Sequence, residues 1–338
     1  MEKKTGNLHA LQEKCRPFTL TATEDGSLVL SRGNPEDCLS VTEFSIPDGV
    51  THIGKDAFYQ CSVLASVAIP GSVQAIGWGA FEDCSSLTSI TLPKGLTDIG
   101  ACAFENCTGL KSIFIPDSVT GIGWRAFRNC SSLRRIAIPD GVRHIKDYTF
   151  CDCCCLAEVS IPASVTDIGE YAFHNCRSLT AAIIPDSVTE IARCAFLDCD
   201  NLASVILPKG LTKIHSYLFS GCFSLKKVAI PESITVIEPY AFEGCKGLTD
   251  ISIPEGITII DQGVFEDCSS LTSITIPDRS ADAPVAGSMI TIGRKAFHGC
   301  TALREIHAPQ LIRQKIRNQL RQRKRNACQS SDQTAPSV

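Results

Sequence analysis

FEDCSSLTSITLPKGLTDIGACAF occupies residues 81–104, and its first part returns almost unchanged as FEDCSSLTSITIPD at residues 265–278. Aligning the chain with itself gives a 23-residue unit, I-P-x-x-V-T-x-I-G-x-x-A-F-x-x-C-x-x-L-x-x-I-x. Eleven copies begin at Ile46, Ile69, Leu92, Ile115, Ile138, Ile161, Ile184, Leu207, Ile230, Ile253 and Ile276. The proline at position 2, isoleucine at 8, phenylalanine at 13, cysteine at 16 and leucine at 19 are present in every copy. A fixed period of this length is typical of stacked repeat architectures.

Each repeat position has a physical explanation. The alternation L-x-x-I-x-I predicts a short strand with Ile90 and Leu92 on its inner face. Proline ends that strand because it has no N–H to donate to a ladder, and the D-G or D-S pair that follows favours a turn. V-T-x-I predicts a second short extended piece, and A-F-x-x-C predicts one helical or 3₁₀ turn that buries Phe and Cys on the same side.

One such coil cannot bury its own open faces, so neighbouring coils must cover them. The sequence therefore predicts a repeat solenoid, a right-handed, mainly β stack of about eleven coils with short parallel strands and short helical turns. Residues at the same repeat position should lie above one another, phenylalanine on phenylalanine and cysteine on cysteine.

The repeat closely resembles leucine-rich repeats of the BspA-like, or treponemal, type, with their pattern I-P-x-x-V-x-x-I-G-x-x-A-F-x-x-C-x-x-L. The resemblance covers about residues 38–308. Members of that family are typically microbial surface or secreted proteins that bind other proteins. The resemblance thus implies a right-handed leucine-rich-repeat stack, a protein partner and a place outside the cell.

The ends of the chain depart from the repeat. We expect a flexible N-terminus over residues 1–15 and an N-terminal cap over residues 16–45, with a hairpin that turns at a D-G pair and a half repeat that begins at Cys38. The solenoid is predicted over residues 46–308, interrupted by an insertion at about 279–289 that is either a surface loop or a binding loop. A basic helix is predicted over residues 309–326, and a disordered tail over 327–338.

The basic helix has three interpretations. Leu311, Ile312, Ile316 and Leu320 recur at helical spacing, and the segment up to Arg325 carries seven Lys and Arg residues and no acid. It is a capping helix with a solvated basic face, a segment that docks on an acidic partner or an anionic membrane, or a localisation or nucleic-acid patch at RQRKR. We favour the cap, so we expect no nucleic-acid partner and do not favour membrane contact.

Composition bears on location and on the class of protein. Apolar residues make up 44% of the 338 residues, enough for a substantial core, but no apolar run approaches the roughly 20 residues that span a bilayer. No apolar segment follows the basic N-terminal residues, so the chain as given carries no signal peptide. The sequence alone predicts a cytoplasmic protein, whereas the resemblance suggests a surface or secreted one.

Sequence motifs for catalysis are absent. The chain has no G-x-x-x-x-G-K-[ST], G-x-G-x-x-G, H-E-x-x-H or G-x-S-x-G, and its seven histidines are scattered over different repeat positions. We therefore expect no cofactor and no enzymatic activity. Glutamate and aspartate at positions 14 and 15, such as Glu82 and Asp267, are expected to form a solvated acidic edge.

The chain has 19 cysteines, a number that would suggest disulfides in a small secreted domain, but their repeat spacing argues against a disulfide framework. Twelve of the 19 follow the repeat, and we expect them to be reduced, buried and inert. Cys151-Asp152-Cys153-Cys154-Cys155 is the one local cluster, with His144 nearby in sequence. Inert thiols, a redox-sensitive thiol and a metal site all remain open there, although Cys151 and Cys154 lack the second pair of a zinc site. Asn106 and Asn129 match the glycosylation pattern, which we interpret as a chance product of the repeat.

Outward positions 20, 21 and 23 of each unit offer a surface for a partner, because the strand face is the usual contact surface of a solenoid. Most residues there are small. Among the larger residues there, the predicted protein-binding residues are Lys111, Phe114, Arg134, Arg135, Ile183, Ile206, Lys226 and Lys227. We hypothesise a non-enzymatic protein-binding or adhesion module; the alternatives are an intracellular scaffold or host-directed effector and, third, an enzyme.

Overall fold

A computed structural model describes residues 2–278 and 290–331. The chain divides into two compact units, Met1–Leu179 and Thr180–Val338. The expected insertion at 279–289 and the last residues of the expected tail, 332–338, lie outside the described residues.

The repeat folds as one coil with two short strands. In the coil that begins at Ile69, Ala75–Ile76 forms the first strand and Ser89–Thr91 the second, with Ile90 buried between two exposed neighbours. The A-F-x-x-C segment forms a tight turn in which the Cys84 N–H donates to the Phe81 carbonyl over 3.2 Å. The Phe81 N–H instead donates to the Ala103 carbonyl of the next coil over 2.8 Å, so the turns are themselves linked from coil to coil.

The elements of the first unit are α1 (Glu2–Cys15), β1 (Thr19–Ala22), β2 (Leu28–Ser31), α2 (Pro35–Cys38), β3 (Glu43–Ser45), β4 (His52–Ile53), β5 (Ser66–Ala68), β6 (Ala75–Ile76), β7 (Ser89–Thr91), β8 (Asp98–Ile99), β9 (Ser112–Phe114), β10 (Gly121–Ile122), β11 (Arg135–Ala137), β12 (His144–Ile145), β13 (Glu158–Ser160) and β14 (Asp167–Ile168). Strands β1-β2-β4-β6-β8-β10 form one sheet, and β3-β5, β7-β9, β11-β13 and β12-β14 pair separately. Except for the β1-β2 hairpin, the pairs are parallel.

The elements of the second unit are β15 (Ala181–Ile183), β16 (Glu190–Ile191), β17 (Ser204–Ile206), β18 (Lys213–Ile214), β19 (Lys227–Val228), β20 (Val236–Ile237), β21 (Asp250–Ser252), β22 (Ile259–Ile260), β23 (Ser273–Thr275), β24 (Thr291–Ile292), β25 (Glu305–His307) and α3 (Gln310–Ser331). Its parallel sheets have the orders β15-β17-β19, β18-β20-β22-β24 and β21-β23-β25. Partners such as Ser204 and Lys227 lie one 23-residue repeat apart, which confirms the predicted register.

A ladder of phenylalanine rings forms the core of each unit. In the first unit, the ring centroids of Phe58 and Phe81 are 4.9 Å apart and the planes differ by 5°. In the second, Phe242 and Phe265 are separated by 5.6 Å. Every ladder phenylalanine is fully buried. The predicted stacking is therefore confirmed within each unit.

A second ladder consists of cysteine thiols that act as hydrogen-bond donors. The Sγ of Cys84 donates to the Phe58 carbonyl over 3.1 Å, and that of Cys107 donates to the Phe81 carbonyl over 3.1 Å. The same bond recurs in the second unit, for example from Cys245. Burial raises the pKa of Cys84 to about 12, so these thiols stay protonated. A small side chain that also donates weakly explains why the repeat keeps cysteine here.

The first pair of the cysteine ladder differs from the rest. The sulfur atoms of Cys38, at the end of α2, and Cys61 are in direct contact, with the Cα atoms of the two residues 5.0 Å apart. Reduced thiols stay our prediction for the ladder, and this pair is the place where the fold brings two ladder sulfurs together. Successive coils bring Cα atoms within the range that a disulfide spans.

Residues at positions 11 and 15 of the coil adopt left-handed backbone conformations, which explains why the turn does not continue as a helix. Position 15 holds Asp, Asn, Gly or Gln, and Asp, Asn and Gly tolerate this conformation well. Their side chains also bond between coils: the Asn106 amide donates to Asp83 over 2.8 Å, and the Asn129 amide donates to Asn106 over 3.0 Å. The repeat itself therefore accounts for both asparagines of the glycosylation pattern.

The N-terminal end of the first unit is covered by a hairpin and a helix. The predicted hairpin is present, with Gly26 at a φ of 86°, and β2 extends the sheet to β4 of the first coil. Phe18 lies on the phenylalanine ladder, 4.4 Å from Phe58. Helix α1 occupies the stretch where we expected flexibility. The Gln12 amide fixes it, because its oxygen accepts from the Leu20 N–H and its nitrogen donates to the Phe18 carbonyl.

Helix α3 covers the last coil of the second unit. Ile312 and Ile316 are buried against it. The side chain of Gln319 accepts from the Phe297 N–H over 3.1 Å and donates to the Gly293 carbonyl over 2.7 Å. The first of these bonds satisfies an N–H that a further coil would otherwise pair, as the Phe81 N–H is paired with Ala103.

Candidate protein-binding surface

The strand face is built by the alternation of side chains along each three-residue strand. The middle residue points into the core, and the two flanking residues face solvent. All the predicted site residues are exposed: Lys111, Phe114, Arg134, Arg135, Ile183, Ile206, Lys226 and Lys227. They fall into two groups, one in each compact unit.

The first group, which we call the Phe114 patch, comprises Lys111, Phe114, Arg134 and Arg135. Lys111 and Arg134 occupy the same position in successive coils, and the Arg134 N–H donates to the Lys111 carbonyl over 3.3 Å. Phe114 is 71% exposed at the end of β9, and its register partner on β7 is Thr91. One large ring therefore stands among small neighbours beside three cations.

The second group, which we call the Ile206 patch, comprises Ile183, Ile206, Lys226 and Lys227. Ile183 and Ile206 are register partners on β15 and β17, and they are 68% and 59% exposed. Lys227 follows on β19, opposite Ser204. Two aliphatic side chains thus lie side by side next to a basic pair.

Most of the cations in the two patches form no ion pair, although Glu158 is the register partner of Arg135. In the parts of the chain that the structure describes, Lys111, Arg134, Arg135 and Lys226 form no ion pair. Lys227 contacts Asp250, with Nζ 3.4 Å from the carboxylate. Both patches therefore present positive charge and apolar surface together.

The cysteine-rich stretch does not form the C-x-x-C site that its spacing suggested. Cys151 and Cys153 are buried, whereas Cys155 is exposed. The Sγ of Cys154 points to the Ser131 carbonyl, 3.5 Å away, and that of Cys151 to Asp152, 3.3 Å away. Burial, together with the neighbouring Asp152, raises the pKa of Cys151 to about 12. His144 is engaged elsewhere, with Asp167.

Position 14 is not the solvated acidic edge that we expected. Glu105 and Glu266 are buried; Glu266 lies 3.0 Å from Lys295, and Glu105 lies 2.8 Å from Arg128. Burial raises the pKa of Glu82 to about 7, and the nearby carboxylates of Glu105, Asp83 and Asp56 add to the effect. These acids were misjudged because the repeat pattern marks position 14 as variable, and variability alone does not distinguish an exposed position from a half-buried one.

The coils, the parallel ladders and the exposed strand face define the class: the chain is a parallel β-solenoid of about eleven turns, built from leucine-rich repeats. The family model described as "BspA type Leucine rich repeat region (6 copies)" matches residues 36–153, 79–203, 166–283 and 279–320. The chain belongs to this family. Leucine-rich repeats generally serve as protein-binding surfaces.

Solved bacterial structures are similar along most of the chain. A leucine-rich repeat protein from Bacteroides ovatus is 29% identical with a TM-score of 0.70, over 85% of this chain and 79% of that one. A leucine rich cell surface protein from Faecalibacterium prausnitzii is 28% identical with a TM-score of 0.57, over 88% and 94%. A protein from Eubacterium ventriosum, 23% identical with a TM-score of 0.50 over 87% and 94%, shares the fold. No curated protein matches the chain.

The helices of the described residues do not include a candidate for crossing a bilayer, because none combines the required length with sufficient apolar character.

Proposed function

We propose that the protein is a non-enzymatic module that binds a protein partner through the strand face, using the Phe114 and Ile206 patches. The observation that carries the proposal is the exposure of Phe114, 71%, beside Lys111, Arg134 and Arg135, none of which forms an ion pair among the described residues. Large rings and arginines are the residue types that most often dominate binding energy at protein interfaces.

The chemistry of the patches indicates the character of the partner. Burying one large apolar side chain stabilises a complex by about 1.5–3 kcal/mol. Cations without intramolecular partners attract a partner with the opposite charge and increase its rate of association. We therefore expect an acidic partner surface that contains at least one apolar anchor.

The place of action is a further part of the proposal. Similarity to a cell surface protein at 28% identity favours binding at the outside of a cell. The buried free thiols favour the second candidate, an intracellular scaffold or host-directed effector, because reduced cysteines persist in reducing compartments. Detection of the protein on intact cells with an antibody, before and after permeabilisation, distinguishes the two.

A capture experiment with matched variants tests the proposal. Wild-type protein and the double variant Phe114→Ser, Arg135→Ser are immobilised and exposed to fractionated host and bacterial extracts. The control variant, Phe223→Ser, Lys94→Ser, removes an exposed ring and a cation that lie off the strand face. We expect the wild-type protein and the control variant to capture the same partner protein from the extracts. The Phe114→Ser, Arg135→Ser variant should fail to capture it. Equal capture by all three would place the binding surface elsewhere.

A further inference from the structure

Three side chains that commonly ligate metals meet in the first unit. They are Cys151, Asp152 and His174, and their ligand atoms all lie within 4.8 Å of one another. Cys151 and His174 occupy position 14 of successive coils, so the repeat places one above the other. Asp152, at position 15, stands beside them.

The backbone holds this group in place on both sides. Asp152 adopts a left-handed conformation with a φ of 62°. Its N–H donates to the His174 carbonyl over 2.8 Å, which fixes the two coils against each other. One carboxylate oxygen, Oδ1, accepts from the Asn175 amide over 2.8 Å, and the other, Oδ2, accepts from the Cys151 thiol over 3.3 Å.

One cation, Arg128, lies beside the group. It interacts with the Cys151 side chain, and its Nε is 3.8 Å from Asp152 Oδ2, while its Nη1 lies 2.8 Å from Glu105. Glu105 therefore compensates Arg128. A cysteine thiolate and the Asp152 carboxylate would together compensate a divalent ion, so binding would leave this part of the unit without net charge.

We propose that Cys151, Asp152 and His174 bind a borderline-soft divalent transition ion of the Zn²⁺ class. Zinc takes thiolate, imidazole and carboxylate ligands at about 2.0–2.3 Å, which separates ligand atoms by roughly 3.5 Å. Cys151 Sγ and Asp152 Oδ2, 3.3 Å apart, already have this spacing. The imidazole closes the remaining distance, and water supplies the fourth ligand.

Binding replaces a proton with the ion. The S–H bond of Cys151 breaks, its electron pair forms the sulfur–metal bond, and the proton leaves to solvent. The S–H···O contact with Asp152 becomes a sulfur–metal–oxygen bridge. Because one ligand is a thiolate and another an imidazole, the site should discriminate against Ca²⁺ and Mg²⁺, which prefer oxygen ligands.

Cobalt titration of the full chain tests the site, because Co²⁺ bound to thiolate gives a charge-transfer absorption band. The protein is kept reduced with a phosphine, and CoCl₂ is added to wild type and to three variants. In Asp152→Asn the left-handed backbone is retained, since asparagine tolerates it. His174→Ala removes the imidazole. Cys155→Ser, the control, removes an exposed thiol of the same stretch.

We expect wild type and the Cys155→Ser control to bind one Co²⁺ with the band and to release it to ZnCl₂ but not to CaCl₂. The Asp152→Asn and His174→Ala variants should lose more than about tenfold in Co²⁺ affinity. The proposal is overturned if wild type gives no band, if the band is undiminished in both variants, or if Ca²⁺ displaces Co²⁺. Tryptophan fluorescence shows whether each variant is folded. If His174→Ala is unfolded, the Co²⁺ affinity of Asp152→Asn alone decides whether the proposal stands.

Discussion

The phenylalanine ladder should dominate the stability of the first unit, and two Phe→Ala substitutions thirteen residues apart test this. Phe127 is fully buried, with its ring centroid 5.4 Å from Phe104 and 5.6 Å from Phe150. Phe114 is 71% exposed. The same atoms are removed in both variants, so the difference between them measures burial and stacking.

We expect Phe127→Ala to lower the free energy of unfolding by about 4 kcal/mol, because truncating a buried ring costs about 3–5 kcal/mol. Phe114→Ala should change it by less than about 0.5 kcal/mol, as is usual for surface substitutions. With an m-value near 3 kcal/mol/M, the first change lowers the urea midpoint by more than about 1 M.

Tryptophan fluorescence is the appropriate readout, because the chain contains 2 tryptophans. Both, Trp78 and Trp124, lie in the first unit, within Met1–Leu179. Trp124 belongs to the same coil as Phe127, so its signal reports unfolding where the cavity is made. The reasoning is refuted if the two variants shift the midpoint equally, or if Phe127→Ala shifts it by less than about 0.3 M.

Three further changes test the chemistry of the coils and the cap. The raised pKa of Glu82, about 7, means that the folded state binds a proton more tightly than the unfolded state does. The free energy of unfolding of wild type should therefore fall as pH rises from about 4.5 to about 7. Urea titrations at several pH values should show that Glu82→Gln lacks this fall. If the variant has the same pH dependence as wild type, the role assigned to Glu82 is wrong. A thiol reagent should label Cys155 in the native protein well before the ladder cysteines, as peptide mass spectrometry would show; simultaneous labelling refutes their burial. Gln319→Ala leaves the Phe297 N–H without its partner and should cost about 1–3 kcal/mol, against less than about 0.5 kcal/mol for the exposed Gln314→Ala.

The 23-residue period was sufficient to predict the coil, its two strands and its core. Positions fixed in every copy, such as the phenylalanine series from Phe58 to Phe297, all turned out to be buried. They are predictable because one physical requirement, burial between neighbouring coils, acts on each copy in the same way. The strand-face residues could be placed on the outside by alternation alone.

Features that occur once were harder to predict. Helix α1 has a weak apolar pattern, and its docking depends on Gln12, which no periodicity marks. Cys102 and Tyr148, at position 11, adopt left-handed backbone conformations, and neither residue type indicates such a conformation in a sequence. The contact between the Cys38 and Cys61 sulfurs joins the cap to the first coil, where the cap departs from the repeat and periodicity gives no guide.

The Cys151, Asp152 and His174 group shows what a motif search misses in a solenoid. Such searches compare residues a few positions apart, and His174 lies 23 positions from Cys151. In this fold, residues one repeat apart are spatial neighbours, at about 4.8 Å per coil, and residues half a repeat apart are not. The ligand spacing to search for is therefore the repeat length itself. The invariant positions maintain the coil. Variable positions such as 14 can therefore hold an acid, a base or a thiol in any coil, independently of the coils before and after it. New combinations of these groups can arise between neighbouring coils without altering the fold.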